Sequence, residues 1–250
     1  MGTVRLLRLG LATLAVLALI GGSAGCNKKT AAGGSDVLQL YVSPSWSDYG
    51  ISTLAYLGER NTSGEANALN LASRVIGGEI RNQDKYIVLG DKVVADRAQA
   101  AGKTELLDHL RAIWRSDRVV DKFQAGELCE ALGVDALLVA EVSDWTQYTI
   151  EPTSEGTSWS RAGIALYIYS PKGEPGPLVW GANRVLREDS LPYRPSGGAA
   201  QLAGSETSNA NRQRESRRDN TLETVPPPPP IENVARAVLG EVLAALPPRN

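Results

Sequence analysis

Residues 127–145 read ELCEALGVDALLVAEVSDW, and the fold turns on how this stretch changes character. Leu128, Ala131 and Leu132 fall at i, i+3 and i+4, one apolar face of a helix. Gly133 follows where a helix ends in a left-handed residue, a conformation that costs glycine little. Residues 136–140, ALLVA, then run apolar without alternation, as a strand buried on both faces does. Polar residues return at Glu141, Ser143 and Asp144, where the strand is expected to run out. A two-sided strand needs a layer above and a layer below, so the flanking chain must supply both.

Upstream, residues 37–43 and 52–57 read as strands separated by a break at 44–50. Thr62, Ser63, Gly64 and Glu65 form a capping-box pattern, which predicts the start of a helix. Its apolar face carries Leu69, Ala72, Val75, Ile76 and Ile80, and it ends near Arg81 and Asn82. Residues 86–89 are a short strand and 92–101 a short helix on Val93, Val94 and Ala98. A further helix over 104–115 has Thr104 as its cap and Leu106, Leu107, Leu110, Ile113 and Trp114 on one side. Residues 117–120 lead into the helix that ends at Leu132. Downstream, 148–158 is polar and turn-rich, and 161–169 alternates Ile164, Leu166 and Ile168 against Ala165, Tyr167 and Tyr169. A Pro- and Gly-rich turn over 170–177 returns 178–186 as the hairpin partner. The expected class is α/β (α+β): a small mixed sheet of about 4–6 strands with helices on both faces.

The two ends of the chain differ from this middle. Residues 1–25 have the form of a secretory signal: Arg5 and Arg8, an uncharged apolar run over 9–20, then GGSAG. That run is too short to span a bilayer, which takes about 20 apolar residues. Ser23-Ala24-Gly25-Cys26 resembles the lipobox of bacterial lipoproteins, with Ser23 where Leu is usual. The resemblance implies cleavage before Cys26 and its diacylation (palmitate among the chains), with stable anchoring by two or more acyl chains. The plainer alternative is an ordinary signal with a chance cysteine at the cut. Asn27 rather than Asp follows the cysteine, which resembles outer-membrane cargo under the enteric sorting rule. Residues 26–36 then make a polar, Gly-rich tether.

The other end departs too. Residues 190–230 hold few large apolar side chains and end in five prolines, so a disordered Pro/Ser/Gly-rich insertion is expected. Arg212, Arg214, Arg217 and Arg218 within it read as a solvated basic stretch. Residues 231–247 return to order: Ile231, Val234, Val238, Leu239, Val242, Leu243 and Leu246 make one strong apolar stripe. This helix is expected to pack back on the sheet and complete a globular domain over 37–189. The alternative is a partner-binding helix on a flexible arm.

Chemistry is sparse. The sequence has two cysteines, so committing Cys26 to lipid leaves Cys129 without a disulfide partner. A small buried apolar thiol is its expected role. Without Arg5 and Arg8 the chain carries 24 basic residues against 28 acidic, a net charge of −4, which does not point to nucleic acid. His109 is the single histidine, so no histidine triad or multi-histidine metal site is expected. The one G-x-S-x-G, over 21–25, lies in the signal, and no phosphate-cradling GxxxxGK[ST] occurs. Neither a cofactor nor a metal is expected. Asp135, at the start of the buried strand, fits best as a turn carboxylate bonding nearby N–H groups. Glu141 and Asp144 sit where ligands approach an α/β sheet, a thin basis for carboxylate catalysis. Of five tryptophans, Trp114 lies on a helix's apolar face, and Trp145 and Trp180 read as core. Trp46 and Trp159 stand near loops and, with Asp135, are candidate partner-binding residues.

The order of elements, with Glu130-Ala-Leu-Gly-Val-Asp-Ala136 running through Trp145, resembles a superfamily of bacterial periplasmic lipoproteins. It includes the curli secretion channel lipoprotein (CsgG-like), the penicillin-binding-protein activator lipoproteins and the N-terminal domain of TolB. The likeness also rests on the strand and small-residue loop of 54–64, on Tyr86-Ile-Val-Leu-Gly-Asp91, and on the hairpin from Tyr167 to Trp180. It covers roughly residues 50–190 and the last helix, and the insertion before that helix departs from the usual ending. The resemblance implies a mixed sheet with helices and no catalytic machinery, in proteins that dock to envelope enzymes, join transport assemblies or form pores. Three readings follow: a non-enzymatic docking or assembly lipoprotein with an envelope protein partner; a ring-forming export-channel subunit using 161–186 as its membrane hairpin; or an enzyme or small-ligand binder using Asp135, Glu141 or Asp144.

Overall fold

The computed structural model describes residues 37–174, 176–195 and 224–249. The expected signal over 1–25, the expected lipidation site Cys26, the expected tether over 26–36 and the basic stretch at Arg212, Arg214, Arg217 and Arg218 lie outside the described residues. The elements run β1 (Gln39–Val42), a 3-10 turn (Trp46–Tyr49), β2 (Thr53–Asn61), α1 (Ala68–Asn82), β3 (Ile87–Leu89), α2 (Asp91–Ala100), α3 (Thr104–Asp117) and α4 (Lys122–Leu132). They continue with β4 (Ala136–Tyr148), β5 (Trp159–Tyr169), β6 (Leu178–Asp189) and α5 (Ile231–Ala244).

The six strands form one mixed sheet in the order β1-β6-β5-β4-β2-β3. β2 is parallel to β3 and β4, while β4, β5, β6 and β1 pair antiparallel in succession. Because side chains alternate across a strand, each strand feeds two cores. Leu138, Ala140, Ile164, Leu166, Ile168 and Trp180 meet α1 and α5 on one face. Leu137, Val139 and Tyr169 meet Val94, Leu107, Leu110, Trp114 and Leu128 of α2–α4 on the other. This is the fold class expected, with α5 packed back on β5 and β6 rather than held out on an arm. The hairpin of β5 and β6 is central to the sheet and sits beneath α5.

Several local expectations are revised. The capping box over 62–65 does not start α1, which begins at Ala68 with Asn67 before it and no side-chain cap. Thr62 is still leaving the sheet: its N–H donates to Val142 O, and its Oγ1 donates to Glu141 Oε1. Thr104 is inside α3, with Lys103 at the N-cap. Asp121 caps α4, taking the N–H groups of Phe123 and Gln124. β4 also outruns its apolar stretch, reaching Tyr148, because β5 pairs with it along its whole length. Gly133 does end α4 in the left-handed region, at φ 66°. The insertion expected over 190–230 is fastened at both ends. Tyr193 is buried and bridges to Gly156, and Pro229 O accepts from Gln147 Nε2 and Ser160 Oγ. Its middle, 196–223, lies outside the described residues.

Candidate partner-binding surface

The helix stop at Gly133 delivers Asp135 to the edge of the sheet core. Its Oδ2 accepts four hydrogen bonds, from Ser52 N (2.9 Å), Ser52 Oγ (2.9 Å), Thr53 N (2.9 Å) and Thr53 Oγ1 (2.8 Å). The expected local turn bonds are replaced by partners 82 and 83 residues earlier in the chain. Burial alone pushes this carboxyl up, but the bonds from Ser52 and Thr53 outweigh it and hold it below the ordinary carboxylate range. Asp135 is therefore a clasp between β2 and β4, with its charge already engaged.

Glu141 and Asp144 are engaged as well. Glu141 is buried, 3.1 Å from Arg118 Nε, and takes a hydrogen bond from Thr62 Oγ1 (3.0 Å). Asp144 lies 3.1 Å from Arg161 Nε and accepts from Thr146 Oγ1 (2.8 Å). A bulge between Val142 and Asp144 separates the two acids. His109 is exposed on α3, and among the described residues no group of three or more His, Cys, Asp or Glu is placed to hold a metal ion. The Cys129 thiol is pushed up to about 12, first by burial and then by the nearby Asp135 charge.

The tryptophans separate cleanly. Trp46 is 8% exposed, in the core and edge-on to Tyr86 at 6.4 Å, which removes it from the candidate surface. Trp114, Trp145 and Trp180 are also core. Trp159 is half-buried at the far end of β5. It stacks on Tyr148 of β4 at 5.7 Å, with the Arg187 guanidinium 4.7 Å over its ring. The register explains the cluster: Tyr148 faces Trp159, which faces Asp189 of β6. Arg187 is paired with that Asp189 at 2.6 Å.

By strand alternation Trp159, Arg161 and Tyr167 lie on one face, the side of α2–α4. Those helices pack over β2 and the first part of β4. The strip beyond them carries Arg118 over the Tyr167 ring (5.1 Å), then Arg161 with Asp144, then Arg187 over Trp159. The eight residue steps of β5 from 159 to 167 span about 27 Å. Aromatic and arginine side chains are the residue types enriched at protein interfaces. Sequence reading singled out Trp159 but not Tyr148, Arg187 or Arg118, because the register that assembles them is set across strands.

No family model matches the chain, and no curated protein matches it. Among similar solved structures is lipoprotein GNA1162 from Neisseria meningitidis, at 18% identity over 56% of this chain and 84% of that one, with a TM-score of 0.37. The PelC dodecamer from Paraburkholderia phytofirmans aligns at 11% identity over 84% of this chain and 98% of that one, TM-score 0.41. The LpoB C-terminal domain from Salmonella enterica aligns at 12% identity over 54% and 82%, TM-score 0.34. No described helix is long and apolar enough to cross a membrane.

Proposed function

We propose that this chain is a non-enzymatic docking or assembly factor of the bacterial envelope. It is held through the lipid on Cys26 at the periplasmic face of the outer membrane, and it presents a rigid α/β domain to a protein partner. The observation that carries the reading is the strip of Tyr148, Trp159 and Arg187, an aromatic–arginine cluster on the strands in which Tyr148 and Arg187 are exposed and Trp159 is half-buried between them. The non-enzymatic part is supported by the candidate carboxylates, since Asp135, Glu141 and Asp144 each spend their charge on structural partners. A substrate would first have to displace those partners.

Two measurements test it. Cys26→Ala should move the protein from the membrane fraction to the soluble periplasmic fraction; retention in the membrane sinks the anchor. A photo-crosslinker at position 148 should yield one discrete adduct with an envelope protein, lost in the Trp159→Ala, Arg187→Glu double variant. An adduct pattern indifferent to that variant removes the strip from the interface.

A further inference from the structure

A second surface lies at the opposite edge of the sheet from β1. There β2 is nine residues long, but β3 pairs only with residues 53–55 before the chain turns at Gly90 into α2. Beyond that point the outer edge of β2, at residues 56–59, borders a cleft of about 600 Å³. Its α1 wall holds Leu69, Ser73, Gly77 and Ile80, with Val88 of β3 below. Its other wall holds Arg111 and Arg115 of α3.

The charge in this cleft is unbalanced. Its two acids are engaged: Glu59 accepts from Tyr56 Oη (2.7 Å) and from Ser73 Oγ, and Asp91 pairs with Arg111. Arg111 Nε also donates to Leu57 O at 3.0 Å, covering one acceptor of the strand edge. Arg74, Arg81 and Arg115 line the same cleft and have no ion-pair or hydrogen-bond partner among the described residues. Three uncommitted arginines thus ring an apolar floor, in a chain whose net charge is negative.

We infer that this cleft binds an extended acidic segment of a partner protein, laid along β2 as an added strand in line with β3. Strand addition uses the unpaired N–H and C=O groups of an open edge for affinity and alternate side chains for choice. Here alternate residues of the guest face α1 and α3. Apolar ones meet Leu69, Ile80 and Val88 on the α1 side, carboxylates meet Arg115 on the α3 side, and Arg74 and Arg81 add positive charge at the rim. Gly77 and Gly90 leave room for a backbone to approach, since a Cβ at either would meet no atom within 4 Å. A lone carboxylate or phosphate would leave most of the apolar floor uncovered.

The test uses the full chain and a capped, fluorescent hexapeptide of alternating Glu and Val, read by anisotropy. Binding should weaken with added salt. It should fall roughly tenfold or more when Glu is replaced by Lys or the peptide is N-methylated at alternate residues. The Arg74→Ala, Arg81→Ala, Arg115→Ala triple variant should show the same loss. All three side chains are exposed, so that variant should keep its circular dichroism and melting temperature. Equal binding of the Lys peptide, or undiminished binding by the triple variant, overturns the proposal. So does full competition by octanoate with no effect of N-methylation, which would make the cleft a small-anion pocket. Crosslinking at position 148 is independent of this outcome, because the strip lies on other strands.

Discussion

At the scale of single residues, charge is spent on holding the sheet together. Asp135 joins the start of β4 to β2 through four hydrogen bonds to one oxygen. Asp135→Ala should cost about 1–3 kcal/mol, read as a shift of the chemical-denaturation midpoint. Because this carboxyl is held low in the folded state, its contribution is complete above the unfolded carboxylate value, about 3.9. It is lost as pH falls through the lower folded value. The wild-type protein should therefore lose more stability than Asp135→Ala on acidification below about pH 4. Cys129 gives an opposite kind of check. Buried and raised to about 12, its thiol carries almost no thiolate at neutral pH. It should stay unreactive to Ellman's reagent in the native protein and react fully in denaturant; fast native reaction would place it outside the core.

At the scale of elements, helix ends decide how the layers join. α4 ends on Gly133, where the left-handed conformation is free of side-chain cost. α3 ends on Arg118, which adopts the same conformation at φ 59° and is the one described non-glycine residue with positive φ. An L side chain there costs roughly 1–2 kcal/mol, and the geometry gives a reason to bear it. The turn brings the guanidinium to Glu141 and over Tyr167, tying α3 to β4 and β5. Arg118→Ala and Arg118→Gly both remove these contacts, but Gly also removes the strain. Arg118→Gly should accordingly be more stable than Arg118→Ala by about 1 kcal/mol, a difference of a few degrees in Tm. Equal Tm values would mean the backbone relaxes once the contacts are gone.

At the scale of the molecule, α5 closes the fold from a distance. Val234, Val238, Leu239 and Val242 are fully buried against β5, β6 and α1. Removing residues 231–250 would uncover Leu166, Ile168, Trp180 and their neighbours, a large contiguous apolar face. The truncated chain should elute as aggregate on gel filtration, whereas a helix borne on a free arm would be dispensable. The same packing bears on assembly. With β5 and β6 covered on one face by α5 and carrying Arg161 and Arg187 on the other, the hairpin offers no apolar side to lipid, and a membrane ring would need other strands. Light scattering of the detergent-solubilised particle, corrected for detergent, should give a monomer or dimer; a large closed oligomer would reopen the channel reading.

What the sequence determines by itself is whatever depends on near neighbours. The apolar stripes of α1, α3 and α5, the stop at Gly133 and the buried run of β4 all follow from contacts a few residues apart. Their periods are set by local geometry. The capping box at 62–65 failed for the converse reason. Thr62 finds better partners in Glu141 and Val142, some 80 residues on, and a local cap cannot outbid a strand pairing. Tertiary structure alone decided the strand order, the long-range clasp of Asp135 and the extent of β4 beyond its apolar core. It also decided which loop-edge tryptophan is a core residue and which is surface. Trp46 and Trp159 look alike in the sequence, each near a break with polar neighbours. One is enclosed beside Tyr86, and the other lies on the strip beyond the helices. Burial is a property of what arrives from elsewhere in the chain, and that information is absent from any local window.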